Sequence, residues 1–147
     1  MTGARTKPHE LRARRRRGQH GCWDQLIVAP LWVAYGANLG TMLRTCDAIG
    51  SCLAVPRTAH YRDALQLGDT LRGRRPCIHW VAPTKEGWLE PARRSTVLLL
   101  GHEHLGVPDE VLATVDECVE IPMVGWGASL NVAVAGSLVA YRLAGLS

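Results

Sequence analysis

The chain has 147 residues, 47% hydrophobic and 20% charged, which suits one globular domain with a buried core and is too short for two. Its formal charge of +4 is unevenly placed: Arg5, Lys7, Arg12 and Arg14 to Arg17 face Glu10 alone before Cys22, leaving ten basic and twelve acidic residues in the remainder. The five cysteines, Cys22, Cys46, Cys52, Cys77 and Cys118, are odd in number and form no CxxC pair, which argues against a disulfide framework and for a reduced, cytoplasmic setting.

Residues 1–22 read as a basic arm ahead of a domain over 23–147. The arm has no apolar periodicity and its like charges repel, so it is expected to be disordered in isolation. Arg14, Arg15, Arg16 and Arg17 can neutralise phosphates without reading bases, which makes the arm a candidate RNA contact; a solvated arm without a role explains the same residues. The segment reads poorly as an amphipathic transit peptide, and no signal-peptide apolar core follows it.

Gln25 to Tyr35 is mostly apolar and bounded by Gly36, as a buried strand would be despite Pro30. From Asn38, an expected N-cap, Leu39, Met42, Leu43, Cys46 and Ile49 recur at helical spacing until Gly50 can close the helix. Cys52 to Val55 is strand-like and ends at Pro56. Asp63 to Leu71 suits a helix before the basic loop Arg72-Gly73-Arg74-Arg75. Cys77 to Ala82 is a strand, Gly87 to Arg94 a short helix, and Thr96 to Leu100 the clearest buried strand. Pro108 opens a helix ending near Val115, with Asp109 and Glu110 favourable at its start. Cys118 to Met123 is a further strand. Ser129, a natural N-cap, opens the last helix to Leu143, with Leu130 and Asn131 in its first turn. The apolar stretch after Ser129 is interrupted by Asn131, Gly136 and Arg142, so it is no membrane span. Short apolar strands alternating with helices define an α/β domain with a mostly parallel sheet and helices on both faces.

Three segments carry chemistry. Asn38 to Arg44 places an arginine on an exposed helix side, with Gly40 permitting close backbone approach; a capped helix with a surface arginine accounts for the same residues. Gly101-His102-Glu103-His104-Leu105-Gly106 follows a strand end, where α/β proteins bind ligands, and sets a carboxylate at that rim. His102, Glu103 and His104 lack the HExxH spacing of a metal helix, and no metal is expected. The segment also lacks the Lys-Ser/Thr of a phosphate loop, which counts against a nucleotide-binding module of another class. Ile121-Pro122-Met123-Val124-Gly125 and Ser129-Leu130-Asn131 pair an apolar wall with a glycine turn and polar side chains.

In this order, the three segments resemble the motifs of the SpoU/TrmH branch of the SPOUT RNA methyltransferases. The resemblance covers Gln25 to the C-terminus and implies a C-terminal deep trefoil knot, which no periodicity reveals. It implies transfer of a methyl group from S-adenosylmethionine to a ribose 2′-hydroxyl of tRNA or rRNA, by a homodimer. It assigns Arg44 as the central catalytic residue, as base or as electrostatic stabiliser, with Asn38 as its orienting partner and Glu103 in a polar role. Ser129 and Asn131 would orient substrate, cofactor or arginine. Ala82, Gly101, Ile121, Met123, Ser129 and Leu130 become cofactor contacts. The family pattern is commonly Gly-Asn-Glu-Gly-x-Gly, from which His102 and His104 depart, and Ala133 stands where a serine is frequent. These departures keep a noncatalytic RNA-binding relative as the alternative.

Overall fold

The computed structural model describes residues 7, 9–10, 12–13, 26–71, 76–84 and 96–146. The Arg14 to Arg17 run, the Arg72 to Arg75 loop and the helix expected over Gly87 to Arg94 lie outside them. Within the arm, His9, Glu10, Arg12 and Ala13 are helical. The Glu10 carboxylate accepts the Lys7 N–H at 3.0 Å and so closes that first turn.

The sheet has four strands, β1 (Ile27–Ala29), β2 (Cys52–Pro56), β3 (Ile78–Val81) and β4 (Val97–Leu99), in the order β3-β2-β1-β4. Every pairing among these four strands is parallel. β1 is shorter than its apolar run because Pro30 has no N–H to donate to a ladder. The chain turns there, and the Leu31 N–H bonds back to the Ala29 carbonyl at 2.9 Å.

Helix α1 (Gly36–Ile49) follows, ended by Gly50 in the left-handed conformation as its sequence predicts. Its start differs: the N-cap is Tyr35, and Asn38 lies inside the first turn with its side chain buried. α2 (Ala59–Gly68) begins earlier than expected because Thr58 caps it, its hydroxyl accepting the Tyr61 N–H at 3.4 Å. α3 is a single turn (Asp109–Leu112), cut short where the Thr114 hydroxyl donates to the Val111 carbonyl at 2.7 Å. α4 (Val132–Leu143) starts later than expected, with Asn131 and not Ser129 as its N-cap. Cys118 to Met123 forms no strand: the segment has no regular secondary structure, is exposed but for Ile121, and joins no ladder among the described residues.

Burial decides which faces meet. Val28, Leu53 and Val55 of the sheet pack with Leu39, Met42, Leu43 and Cys46 of α1, Tyr61 and Leu65 of α2, and Ala133 and Ala140 of α4. These three helices thus share one face. On the other, Ile27, Ala29, Cys52, Ala54 and Val81 form a second buried cluster, with Trp32, Cys77, Val97 and Leu99 against it. α1 and α2 touch through glycine: a Cβ built on Gly68 would lie 2.7 Å from Gly40 Cα. The close approach expected of Gly40 is to a neighbouring helix, and it brings the two helices together beside Arg44. No helix of the described residues is long and apolar enough to cross a membrane.

Candidate active site

The 102–106 loop leaves β4 and doubles back on itself. His102 and Gly106 exchange both backbone hydrogen bonds at 3.0 Å. A Cβ on Gly101 would lie 2.4 Å from the Gly106 carbonyl carbon, so a side chain there would collide with this loop's own backbone. The His102 ring closes the tip: its Nδ1 accepts the His104 N–H at 3.0 Å and the Leu105 N–H at 3.2 Å. This is the bond an asparagine side-chain oxygen makes in such turns, which explains how histidine serves at that position. His104 Nε2 pairs with the Tyr35 hydroxyl at 3.0 Å, and the rings meet edge-on. Nδ1 of His102 and Nε2 of His104 are therefore both engaged within the protein.

Glu103 points from the loop to the start of α1. Its carboxylate accepts the Ala34 N–H at 2.7 Å and the Tyr35 N–H at 2.9 Å, supplying the cap that Tyr35 itself does not. A negative group there also complements the helix dipole. Asn38 Nδ2 donates to the same carboxylate at 3.3 Å. Asn38 Oδ1 is thereby left to accept, and Asn131 Nδ2 donates to it at 3.0 Å. Asn131 Oδ1 in turn caps α4, accepting the N–H groups of Ala133 at 2.9 Å and Val134 at 3.3 Å. One polar chain, Glu103–Asn38–Asn131, joins all three sequence segments and fixes the starts of two helices.

Burial raises the proton affinity of Glu103, but the N–H groups of Ala34 and Tyr35, its own N–H and the Asn38 amide more than offset this, holding its carboxyl below the ordinary value. It is ionised at neutral pH and surrounded by donors, which makes it an organiser of the site and a poor base.

Arg44 stands apart. Six residues beyond Asn38, it is about 9 Å along α1 and roughly 240° around it. Its side chain is 63% exposed, and its guanidinium lies 3.9 Å from Asp47. It lines an open cleft of about 770 Å³ between α1 and α2, with Gly40, Thr41, Leu67, Gly68 and Thr70. The side-chain bonds of Asn38 run to Glu103 and Asn131, so within one chain the structure does not bring Asn38 and Arg44 together.

The expected cofactor contacts gather less tightly. Ala82 is exposed just past β3, and Gly101 is half-buried just past Leu100, both beyond the carboxyl ends of strands. Ile121 is half-buried, Met123 and Leu130 are 41% and 38% exposed, and Ser129 is exposed. Sequence reasoning missed Ala34 and Tyr35, whose contribution is their backbone N–H groups and therefore leaves no side-chain signal.

The fold is a parallel α/β sheet with a polar junction at the carboxyl ends of its strands, the place where α/β proteins bind ligands. The SpoU rRNA Methylase family model matches residues 70–141. A tRNA (guanosine(18)-2'-O)-methyltransferase from Escherichia coli is 46% identical over 49 residues, 33% of this chain and 21% of that one. The 23S rRNA (guanosine(2553)-2'-O)-methyltransferase RlmP of Bacillus subtilis is 30% identical over 143 residues, 74% of this chain and 53% of that one. The chain thus spans about half, or less, of the length of these relatives. A solved structure described as structural insights into the 2-OH methylation of C/U34 on tRNA superposes with a TM-score of 0.70 at 24% identity, covering 84% of this chain and 97% of that one. The chain belongs to the SpoU/TrmH family of SPOUT proteins, and its fold is that of a family whose structures carry a C-terminal trefoil knot.

Because the folded pKa of Glu103 lies below its unfolded value, its contribution to stability is fully present above the ordinary carboxylate range. That contribution is lost as pH falls through the depressed folded value. Glu103→Gln is expected to be less stable at neutral pH, with a shallower loss of stability into acid. Urea unfolding across pH checks this, and parallel curves for variant and wild type would remove Glu103 from the account.

Proposed function

We propose that the protein is an S-adenosylmethionine-dependent RNA methyltransferase acting on a ribose 2′-hydroxyl of tRNA or rRNA. The observation that carries this reading is the Glu103–Asn38–Asn131 chain, which unites three family motifs, while Arg44 lies open in a separate cleft farther along α1. Family members are solved in complex with this cofactor. When bound, it supplies an electrophilic methyl group carried on a positively charged sulfur.

The residues beyond the strand ends suit such a group. Ile121, Met123 and Leu130 offer apolar surface for an adenine ring, and their segment lies outside any described ladder, which leaves backbone polar groups for the ring's edge. Ser129 is exposed on the same segment and able to reach substrate or cofactor. Ala82 and the Gly101 backbone border the rim.

Arg44 is the catalytic residue. A guanidinium holds its proton tightly, so its role is to grip a phosphate and stabilise the charge growing on the 2′-oxygen as that hydroxyl's proton passes to solvent water. Glu103 takes no proton, since its oxygens are occupied by helix N–H groups. Its work, with Asn38 and Asn131, is to hold the starts of α1 and α4 in fixed relation. The chemistry needs no metal at this junction.

Several exposed apolar side chains, Val124, Trp126, Leu130, Val134 and Leu138, run from the 121–130 segment on to α4. Such a surface suits a second copy of the chain, so the working form is a cytoplasmic homodimer in which Arg44 serves a site completed by its partner. Arg14 to Arg17 extend the RNA contact. Light scattering at the concentration of the activity assay tests the dimer, and a monomer that turns over would refute it.

Arg44→Ala is expected to lower methyl transfer by roughly 10²–10³-fold or more while cofactor affinity is retained. Tritium transfer from labelled cofactor into total tRNA and rRNA, with calorimetry of cofactor binding, measures both. Near-normal turnover in the variant would sink the catalytic assignment; cofactor binding without transfer in the wild type, on every RNA tried, would favour the noncatalytic alternative.

A further inference from the structure

The second face of the sheet carries chemistry that methyl transfer does not use. Leu53 pairs with Ile78, and the Leu53 N–H bonds the Cys77 carbonyl at 2.9 Å, so Cys52 and Cys77 sit side by side at the amino ends of β2 and β3. A strand repeats its face every second residue, which puts His79 on the same face as Cys77. Cys77 Sγ and His79 Nε2 are 3.7 Å apart, and all three donor atoms, including Cys52 Sγ, lie within 4.8 Å of one another.

We propose that Cys52, Cys77 and His79 form a metal site for zinc(II), or an ion of the same soft-donor preference, separate from the methyl-transfer junction. Two sulfurs and one imidazole nitrogen are the donor set that selects such ions over magnesium or calcium. With zinc–sulfur and zinc–nitrogen bonds of about 2.3 and 2.0–2.1 Å, tetrahedral ligands sit roughly 3.5–3.8 Å apart. The Cys77–His79 separation already has that value, and the remaining pairs need to close by about 1 Å or less. Small apolar filling is the usual role of a buried cysteine, and it explains Cys52 alone. It does not explain a second cysteine opposite it and a histidine two residues on, aimed at the same point.

Cys52 is fully buried, whereas Cys77 and His79 are half-buried, so an ion reaches the site from the β3 side. Binding converts each thiol to thiolate and releases its proton to solvent, so affinity falls with acid. The site lies at the opposite ends of the strands from Gly101 and Ala82. Its effect is to tie β2 to β3, and zinc bound to the folded state alone adds to stability by mass action.

The test uses the full chain, reduced and stripped with chelator, titrated with cobalt(II) as the spectroscopic stand-in for zinc. Thiolate-to-cobalt charge transfer and the visible absorption of tetrahedral cobalt are expected to saturate at equimolar cobalt and to bleach when zinc is added. Zinc should also raise Tm. His79→Ala is expected to weaken cobalt binding by more than the roughly 10–100-fold that loss of an outer partner costs. Cys77→Ser should diminish the charge-transfer band, while Cys118→Ser, at an exposed cysteine outside the cluster, keeps it. Circular dichroism of each variant separates loss of the ion from loss of the fold. Absence of the band in the folded wild type, or an undiminished band in folded His79→Ala and Cys77→Ser, would overturn the proposal.

Discussion

An ionised carboxylate can only accept hydrogen bonds, and that constraint on Glu103 sets the direction of every polar contact at the junction. Asn38 must offer its amide nitrogen to Glu103, which leaves its oxygen for Asn131. Asn131 must then donate to Asn38, and its own oxygen is free to cap α4. Reversing one amide would put acceptor against acceptor. The chain of bonds is short, partly buried and directional, so it specifies one arrangement of the 102–106 loop, α1 and α4.

The apolar core brings those elements near one another without fixing their register. Leu39, Met42 and Leu43 bury α1 against the sheet, Ala133 and Ala140 bury α4, and Gly40 meets Gly68 where α1 crosses α2. Hydrophobic packing is tolerant of small slides, whereas hydrogen bonds near 3 Å are not. The division of labour is therefore clear: packing supplies the stability, and three polar side chains supply the alignment. Arg44 is then presented at a fixed place on α1 while remaining exposed.

Much of this was legible in the residues. Alternating apolar runs located β1 to β4, and Gly50 marked the end of α1, because burial period and left-handed caps are local properties. Caps that depend on distant partners were not. Asn38 looked like an N-cap because nothing in its neighbourhood reveals that Glu103 already fills that role. Ser129 looked like the cap of α4, yet Asn131, two residues later, has both the cap and the cross-chain bond to make. Cys118 to Met123 has the composition of a strand but joins no ladder among the described residues, and composition alone cannot supply a neighbour. Cys52, Cys77 and His79 met only through the register of β2 on β3, a long-range fact absent from spacing.

Asn38 and Asn131 act as one unit joining α1 to α4, and a double-mutant cycle measures that coupling. Asn131→Ser retains a capping oxygen but is too short to reach Asn38, and Asn38→Ala removes the other half of the bond. Denaturant unfolding of wild type, both single variants and the double variant is expected to give a coupling of about 0.5 kcal/mol or more. Losses that simply add, within about 0.3–0.5 kcal/mol, would mean that the two asparagines work independently and that the three segments are aligned by packing alone.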